Sequence, residues 1–123
     1  MHEYHIVSEF INQILDTARN NDASKVTEVA VVLGQHSGVE ESSLRLHFET
    51  LAQGTSIEDA QLLVSFVKTQ LHCTKCNKNF ECNNNTFNCP KCGELGSPTQ
   101  IGKELYIKNI ELETQYTTEV LTC

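Results

Sequence analysis

The sequence has no long hydrophobic run and no excess of positive charge. No stretch approaches the roughly 18 apolar residues that a membrane-spanning helix needs, and no basic patch followed by an apolar stretch predicts a signal peptide. Nine Lys and Arg against sixteen Asp and Glu give a net charge of −7. That balance argues against a general nucleic-acid-coating protein and against docking on anionic membrane, because both need a basic face. We expect an acidic, cytoplasmic protein.

Recognisable catalytic motifs are absent as well. The 123 residues contain no nucleophile elbow, Walker loop or glycine-rich dinucleotide fingerprint. His36 and His47 have no carboxylate or cysteine at ligand spacing, so both are interpreted as ordinary surface or boundary histidines. The sequence therefore predicts a protein that is not an enzyme. Its length fits one globular domain with at most a small satellite.

The first 72 residues contain no cysteine, and their pattern predicts alternating helices and strands. Apolar residues at steps of three and four indicate a helix from Tyr4 to Ala18. A second helix is expected to begin near Ser37, because Ser37 and Glu40 fit a capping box. Strands are predicted at residues 25–33, 61–71 and 104–113.

These elements, together with the cysteine pairs described next, predict an α+β fold, with two helices on a small three-stranded sheet and an inserted zinc-ribbon module. The expected domains are an α/β domain formed by residues 1–71 and 98–116 and a ribbon domain formed by residues 72–97. Residues 117–123 are polar and are expected to form a flexible tail.

Five of the six cysteines lie within twenty residues, a pattern that favours metal ligands over disulfides in a chain without an export signal. Cys73 and Cys76 form one Cys-x-x-Cys pair, Cys89 and Cys92 form another, and twelve residues separate the pairs. Two such pairs can complete a tetrahedron of thiolates, which favours Zn²⁺ or iron. A site closed by four thiolates has no position for substrate, so we expect a structural zinc ion.

The other potential metal ligands near this insert are not predicted to bind the ion. Cys82 is interpreted as a spare thiol rather than a fifth ligand, and His72 as a half-exposed histidine at a strand end. Cys123, the last residue, is assigned no role.

The amino terminus offers a second set of donors. The α-amine of Met1, the amide nitrogen of His2 and the His2 imidazole can chelate one ion in a five- and a six-membered ring, with Glu3 as a further donor. In-plane nitrogen donors favour Ni²⁺ or Cu²⁺ over Zn²⁺. On these residues alone, an ordinary N-terminus remains the alternative, and Glu40 is either a capping residue or a neighbour of such a site.

Several stretches together resemble one family, the HypA/HybF nickel metallochaperones of [NiFe]-hydrogenase maturation. They extend over residues 1 to 113 and consist of Met1-His2-Glu3, residues 31–39, residues 48–55, the two Cys-x-x-Cys pairs and residues 102–107. The resemblance implies that His2 and backbone nitrogens hold Ni²⁺, that Glu3 and Glu40 lie nearby, and that the four-cysteine site holds structural zinc.

The resemblance also implies partners. They are the nickel-insertion GTPase HypB and the hydrogenase large subunit, and in some members urease maturation proteins. One departure concerns the histidine that some members carry shortly after each cysteine pair. Those positions here are Asn77, Lys78, Gly93 and Glu94, which puts a histidine-based change of zinc coordination in doubt.

Two other classes compete with this hypothesis. A zinc-ribbon module for nucleic-acid or protein interaction is suggested by Lys75, Lys78 and Lys91 against Glu81, a small local excess of positive charge. An electron carrier resembling rubredoxin would hold iron in the same four cysteines and would be coloured when purified.

Overall fold

The computed structural model describes residues 2–83, 86–114 and 118–122. Within these ranges the chain forms two helices and seven strands: α1 (His2–Asn20), β1 (Ala23–Gly34), α2 (Glu41–Ala52), β2 (Gln61–Val67), β3 (Gln70–Cys73), β4 (Lys78–Glu81), β5 (Ser97–Pro98), β6 (Leu105–Thr114) and β7 (Thr118–Thr122). One sheet has the strand order β2-β1-β6-β7 and the other has the order β4-β3-β5. Neither helix in the described part of the chain is long and apolar enough to cross a membrane. The predicted α+β class is confirmed.

The chain divides into two compact units. The first, here called the α/β unit, comprises residues 1–32, 39–65 and 106–123. The second, the ribbon unit, comprises residues 33–38 and 66–105. The ribbon unit therefore draws on residues before and after the expected 72–97 segment, including the end of β1.

The α/β unit has the apolar core that the sequence pattern indicates. α1 buries one stripe at helical spacing and packs against α2. The buried set consists of Val7, Ile11, Ile14 and Ala18 from α1, Val26, Val29, Val31 and Val32 from β1, Leu44, Phe48 and Ala52 from α2, Val39 and Ile57 from the segments that flank α2, Leu62 from β2, and Ile107, Ile110 and Leu112 from β6. Burying such side chains is the main favourable term in folding.

The predicted start of the second helix is wrong. α2 begins at Glu41, and Glu40 is its N-cap residue, with an extended backbone (φ −89°, ψ 144°) and no side-chain capping hydrogen bond. Ser37 instead lies in a turn in which its amide donates to Gly34 O at 3.1 Å. Gly38 follows with φ +90°, which no right-handed helix accepts. The first turn of α2 carries the acidic Glu41, which suits the positive end of the helix dipole.

The strand predicted at residues 61–71 is in fact two strands in different sheets. β2 belongs to the four-stranded sheet, whereas β3 pairs antiparallel with β4 and β5. Thr69 lies between them, and its amide donates to the side-chain Oε1 of Gln35 at 2.9 Å. Because that N–H is bonded to a side chain, it is not part of a strand ladder.

The first sheet has a fourth strand that the sequence analysis did not predict. β7 occupies Thr118–Thr122, inside the expected flexible tail, and pairs antiparallel with β6 from Asn109↔Thr122 to Glu113↔Thr118. Val120 in this strand is 57% exposed. Pairing with β6, rather than an apolar pattern of its own, defines the strand.

Candidate metal centre

The first cysteine pair lies in the turn between β3 and β4. Cys73 ends β3 and is paired in register with Lys78 of β4. The backbone turns back at Asn77, whose φ is +53°, a conformation that Asn tolerates better than most residues. The amide of Cys76 donates to Cys73 Sγ at 3.4 Å, so the turn brings both thiols to the same side.

The second pair is held by a tight hairpin. The amide of Cys89 donates to Glu94 O at 2.7 Å, and the amide of Gly93 donates to Cys89 O at 2.8 Å. Gly93 has φ +81°, which a glycine adopts without strain. An isolated bridge between Asn88 and Leu95 closes the hairpin.

These two turns bring Cys73, Cys76, Cys89 and Cys92 together. Their four Sγ atoms all lie within 4.8 Å of one another, and the Sγ atoms of Cys73 and Cys92 are 3.5 Å apart. Zinc–sulfur bonds of about 2.3 Å in a tetrahedron require sulfur–sulfur separations of about 3.8 Å. Since the spacing already matches, and two thiols are buried and two half-buried, the donor set fits Zn²⁺.

Hydrogen bonds and burial give the thiols of this cluster different pKa values. Hydrogen bonding to the Cys92 side chain, together with burial, raises the pKa of Cys76 to about 12. Backbone hydrogen bonds from Cys92 and Lys91 lower the pKa of Cys89 to about 7. The pKa of Cys92 is raised, because burial and its neighbouring thiols outweigh the opposing backbone hydrogen bond at Glu94. Cys89 is therefore a thiol that can offer a thiolate to a metal ion near neutral pH.

Two other side chains near the insert lie outside the cluster. Cys82 is fully buried but is not one of the four grouped thiols, and its amide donates to Thr69 O at 2.9 Å. His72 is half-buried, and its Nδ1 lies 2.8 Å from Asn79 Oδ1 across the β3–β4 pair. Both arrangements agree with the interpretations drawn from the sequence.

The predicted nickel ligands fall largely outside the described residues. Met1 is not described, nor are the side chains of His2 and Glu3, although α1 begins at His2. The first turn of α1 packs against α2 through an edge-on contact of the Tyr4 and His47 rings, with centroids 5.6 Å apart.

Three other side chains with potential ligand atoms are described, and all three are exposed. His5 Nε2 lies 3.3 Å from Glu9 Oε1 on the α1 surface. Glu40 is exposed at the start of α2. His36, also exposed, lies with its Nδ1 2.6 Å from Thr69 Oγ1, a contact that the sequence analysis missed because 33 positions separate the two residues.

Comparisons of the sequence and of the structure with known proteins all identify the same family. The family described as HypA, hydrogenase/urease nickel incorporation, metallochaperone, matches residues 1–112. The hydrogenase maturation factor HypA of Caldanaerobacter subterraneus is 38% identical over 92% of this chain and 100% of its own length. That of Aquifex aeolicus is also 38% identical, over 92% of this chain and 98% of its own length. The solution structure of the Ni metallochaperone HypA from Helicobacter pylori is 29% identical, covers 92% of this chain and 98% of that one, and has a TM-score of 0.61.

Proposed function

Since the chain belongs to the HypA family of metallochaperones, which is not a family of enzymes, we propose that it binds Ni²⁺ at its N-terminus and delivers the ion for the maturation of [NiFe]-hydrogenase. The match of the family from residue 1 to residue 112 carries this proposal, because it includes both Met1-His2-Glu3 and the four cysteines.

The local backbone supports a chelate at His2. The first four N–H groups of an α-helix have no partner within the helix, and α1 begins at His2. Its amide nitrogen is therefore not needed by the helix ladder and can release its proton to solvent as it binds a metal ion. Together with the Met1 amine and the His2 imidazole, it would form the planar nitrogen set that Ni²⁺ accepts. Glu3 is the proposed further donor, with Glu40 as a neighbour.

The four-cysteine cluster is proposed to hold a structural zinc ion. Four thiolates close the coordination sphere, so zinc there would organise the ribbon unit and would not exchange readily with cargo. We assign Ni²⁺ to the α/β unit and Zn²⁺ to the ribbon unit.

A carrier without catalytic groups has to pass its ion to a partner by docking. We propose the nickel-insertion GTPase HypB and the hydrogenase large subunit as these partners, with urease maturation proteins as a further destination of nickel. The cytoplasm is the proposed compartment, because free thiolates remain reduced there.

Isothermal titration with NiCl₂ tests the nickel site. Untagged protein should bind one Ni²⁺, His2→Ala should abolish binding, and an N-terminal extension should weaken it about as severely, because the extension removes the free α-amine. His5→Ala is the matched control: it removes an exposed histidine of the same helix and should leave affinity unchanged. Binding should also fall on acidification through the histidine range, near pKa ~6.5. Equal affinity in all four proteins would refute the proposal and direct attention to His36 and His47.

A further inference from the structure

The ribbon unit contains an open groove that none of the proposed metal sites uses. Its volume is about 500 Å³, within the range of sites that bind small ligands or a few side chains. Leu71 and Pro98, paired across β3 and β5, line it together with Phe87 and Leu95. The lining is therefore mainly apolar.

The groove is already formed by the backbone. The amide of Gly96 donates to Phe87 O at 2.7 Å. A Cβ atom at position 96 would lie 2.6 Å from Phe80 Cζ and 2.8 Å from Leu71 Cβ, so only glycine lets the second hairpin lie this close to β3. A preformed groove costs little ordering entropy when it binds.

Two of its apolar side chains are exposed, and Leu95 is the most exposed of the large hydrophobic side chains that the structure describes. Leu95 is 71% and Phe87 is 43% exposed, and both lie on the lining of the same groove. Single exposed apolar residues are common, but two exposed apolar side chains that line the same apolar depression are typical of a protein-binding surface. A partner that covers both side chains would remove their apolar surface from water, which favours binding.

The charge at the groove selects an anionic partner. Lys103 lies at its edge with His36, and among the described residues no carboxylate forms an ion pair with Lys103. The ribbon unit has five Lys against three Glu, whereas the α/β unit has four Lys and Arg against thirteen Asp and Glu. An approaching acidic segment is thus attracted to the ribbon unit and repelled by the α/β unit.

We propose that this groove binds an extended acidic segment of a partner protein, which places apolar side chains against Phe87 and Leu95 and a carboxylate against Lys103. Pro98 has no N–H to donate, so the groove recognises side chains rather than adding a strand to the sheet. This binding would be independent of nickel, because it uses residues of the ribbon unit alone.

A displayed library of random twelve-residue peptides, selected on the 123-residue protein loaded with zinc, tests the proposal. Enriched peptides should combine Asp or Glu with Leu or Phe. Their affinity, measured by fluorescence anisotropy, should fall about tenfold in Leu95→Ser and about tenfold in Lys103→Glu, equivalent to ~1.4 kcal/mol each. Added salt should weaken binding to the wild type.

Two matched variants control for composition and charge. Leu46 is an exposed leucine of the α/β unit (61%), and Lys108 is an exposed lysine of the same unit. Leu46→Ser and Lys108→Glu should change the affinity of the peptides less than twofold. Zinc content and nickel binding, measured on every variant, separate a failure of this proposal from a failure of the nickel proposal.

Three results would overturn the proposal. The first is enrichment of peptides without acidic residues, or of none that distinguish Leu95→Ser from the wild type. The second is a concentration-dependent dimer that Leu95→Ser abolishes, because a second copy would then occupy the groove. The third is binding of a labelled oligothymidine that both Leu95→Ser and Lys103→Glu weaken, because a nucleic acid would then be the ligand.

Discussion

The two units of this chain are stabilised by different means. Of the twelve largest fully buried side chains, nine belong to the α/β unit, and all nine are aliphatic. The ribbon unit contributes Leu33, Cys73 and Cys82, and one of these is a predicted metal ligand. The units also differ in charge, because the α/β unit carries most of the acidic residues.

This difference indicates how each unit resists unfolding. The α/β unit can rely on burial of apolar surface, which scales with the area removed from water. A small module with few buried aliphatic side chains needs another source of free energy, and the zinc ion proposed for the four cysteines would supply it. Loss of metal should therefore affect one unit and spare the other.

The largest expected effect is that of removing a metal ligand. Cys73→Ala should abolish zinc binding and disorder the second sheet, because apparent zinc-binding energies of about 10–16 kcal/mol in small metal modules are also their folding energies. Signals of the α/β unit in amide NMR spectra should persist.

Cys82→Ala is the matched control for this variant. Cys82 is as buried as Cys73 but stands outside the group of four, so its variant should keep one zinc per chain by elemental analysis. Loss of the α/β signals in Cys73→Ala would show that the α/β unit also depends on the metal ion for its stability.

A second, smaller effect is expected from pH. The raised pKa values of Cys76 and Cys92 keep both thiols protonated near pH 7 in the metal-free protein, so zinc binding has to release these protons. Affinity should therefore rise with pH and fall on acidification, by at least roughly 100-fold per pH unit near neutrality, because at least these two protons are released. Below pH ~7 protonation of Cys89 should steepen the fall.

Competition of the protein with a calibrated chelator at pH 6, 7 and 8 measures this slope. The α/β unit contains none of the three thiols, so its unfolding midpoint should not follow the same curve. A zinc affinity that does not change over this range would mean that the thiols are already ionised without metal.

The smallest of the three effects concerns two glycines. Gly102 has φ +103°, and an added Cβ would overlap Thr69, whereas Gly54 has φ +75° with open space around it. Gly54→Ala should cost about 1–2 kcal/mol for the left-handed backbone alone, and Gly102→Ala about 3 kcal/mol or more, because overlap is added to it.

Urea unfolding and amide hydrogen exchange distinguish these two variants. Gly102→Ala should increase exchange in the ribbon unit, and Gly54→Ala in the α/β unit. Equal costs for both variants would show that Thr69 moves aside and that the close approach is not a constraint.

Features with a local cause were predictable from the sequence. The helical stripe of α1 follows from apolar spacing within one element, and the grouping of the four cysteines follows from turns within each pair. The start of α2 was not predictable from the capping residues, because Ser37 and Glu40 are separated by Gly38 in a non-helical conformation.

Features that depend on distant partners were missed. The division of residues 61–71 depends on Gln35 and His36, which bind Thr69. β7 has no alternating apolar pattern and is specified by its pairing with β6. Phe87 and Leu95 belong to one surface only because the second hairpin folds back between them, so no periodicity in the sequence marks the groove.

The meeting of three distant segments in the ribbon unit has a consequence for synthesis on the ribosome. Backbone hydrogen bonds join Gln35 to Val67, Gly34 to Glu104 and His36 to Gly102. The last two cannot form until residues about 70 positions later have been made, roughly 4–14 s afterwards at 5–20 residues per second. All four clustered cysteines emerge before Gly102. We therefore expect the nascent chain to capture its metal first and to complete the ribbon unit around it afterwards.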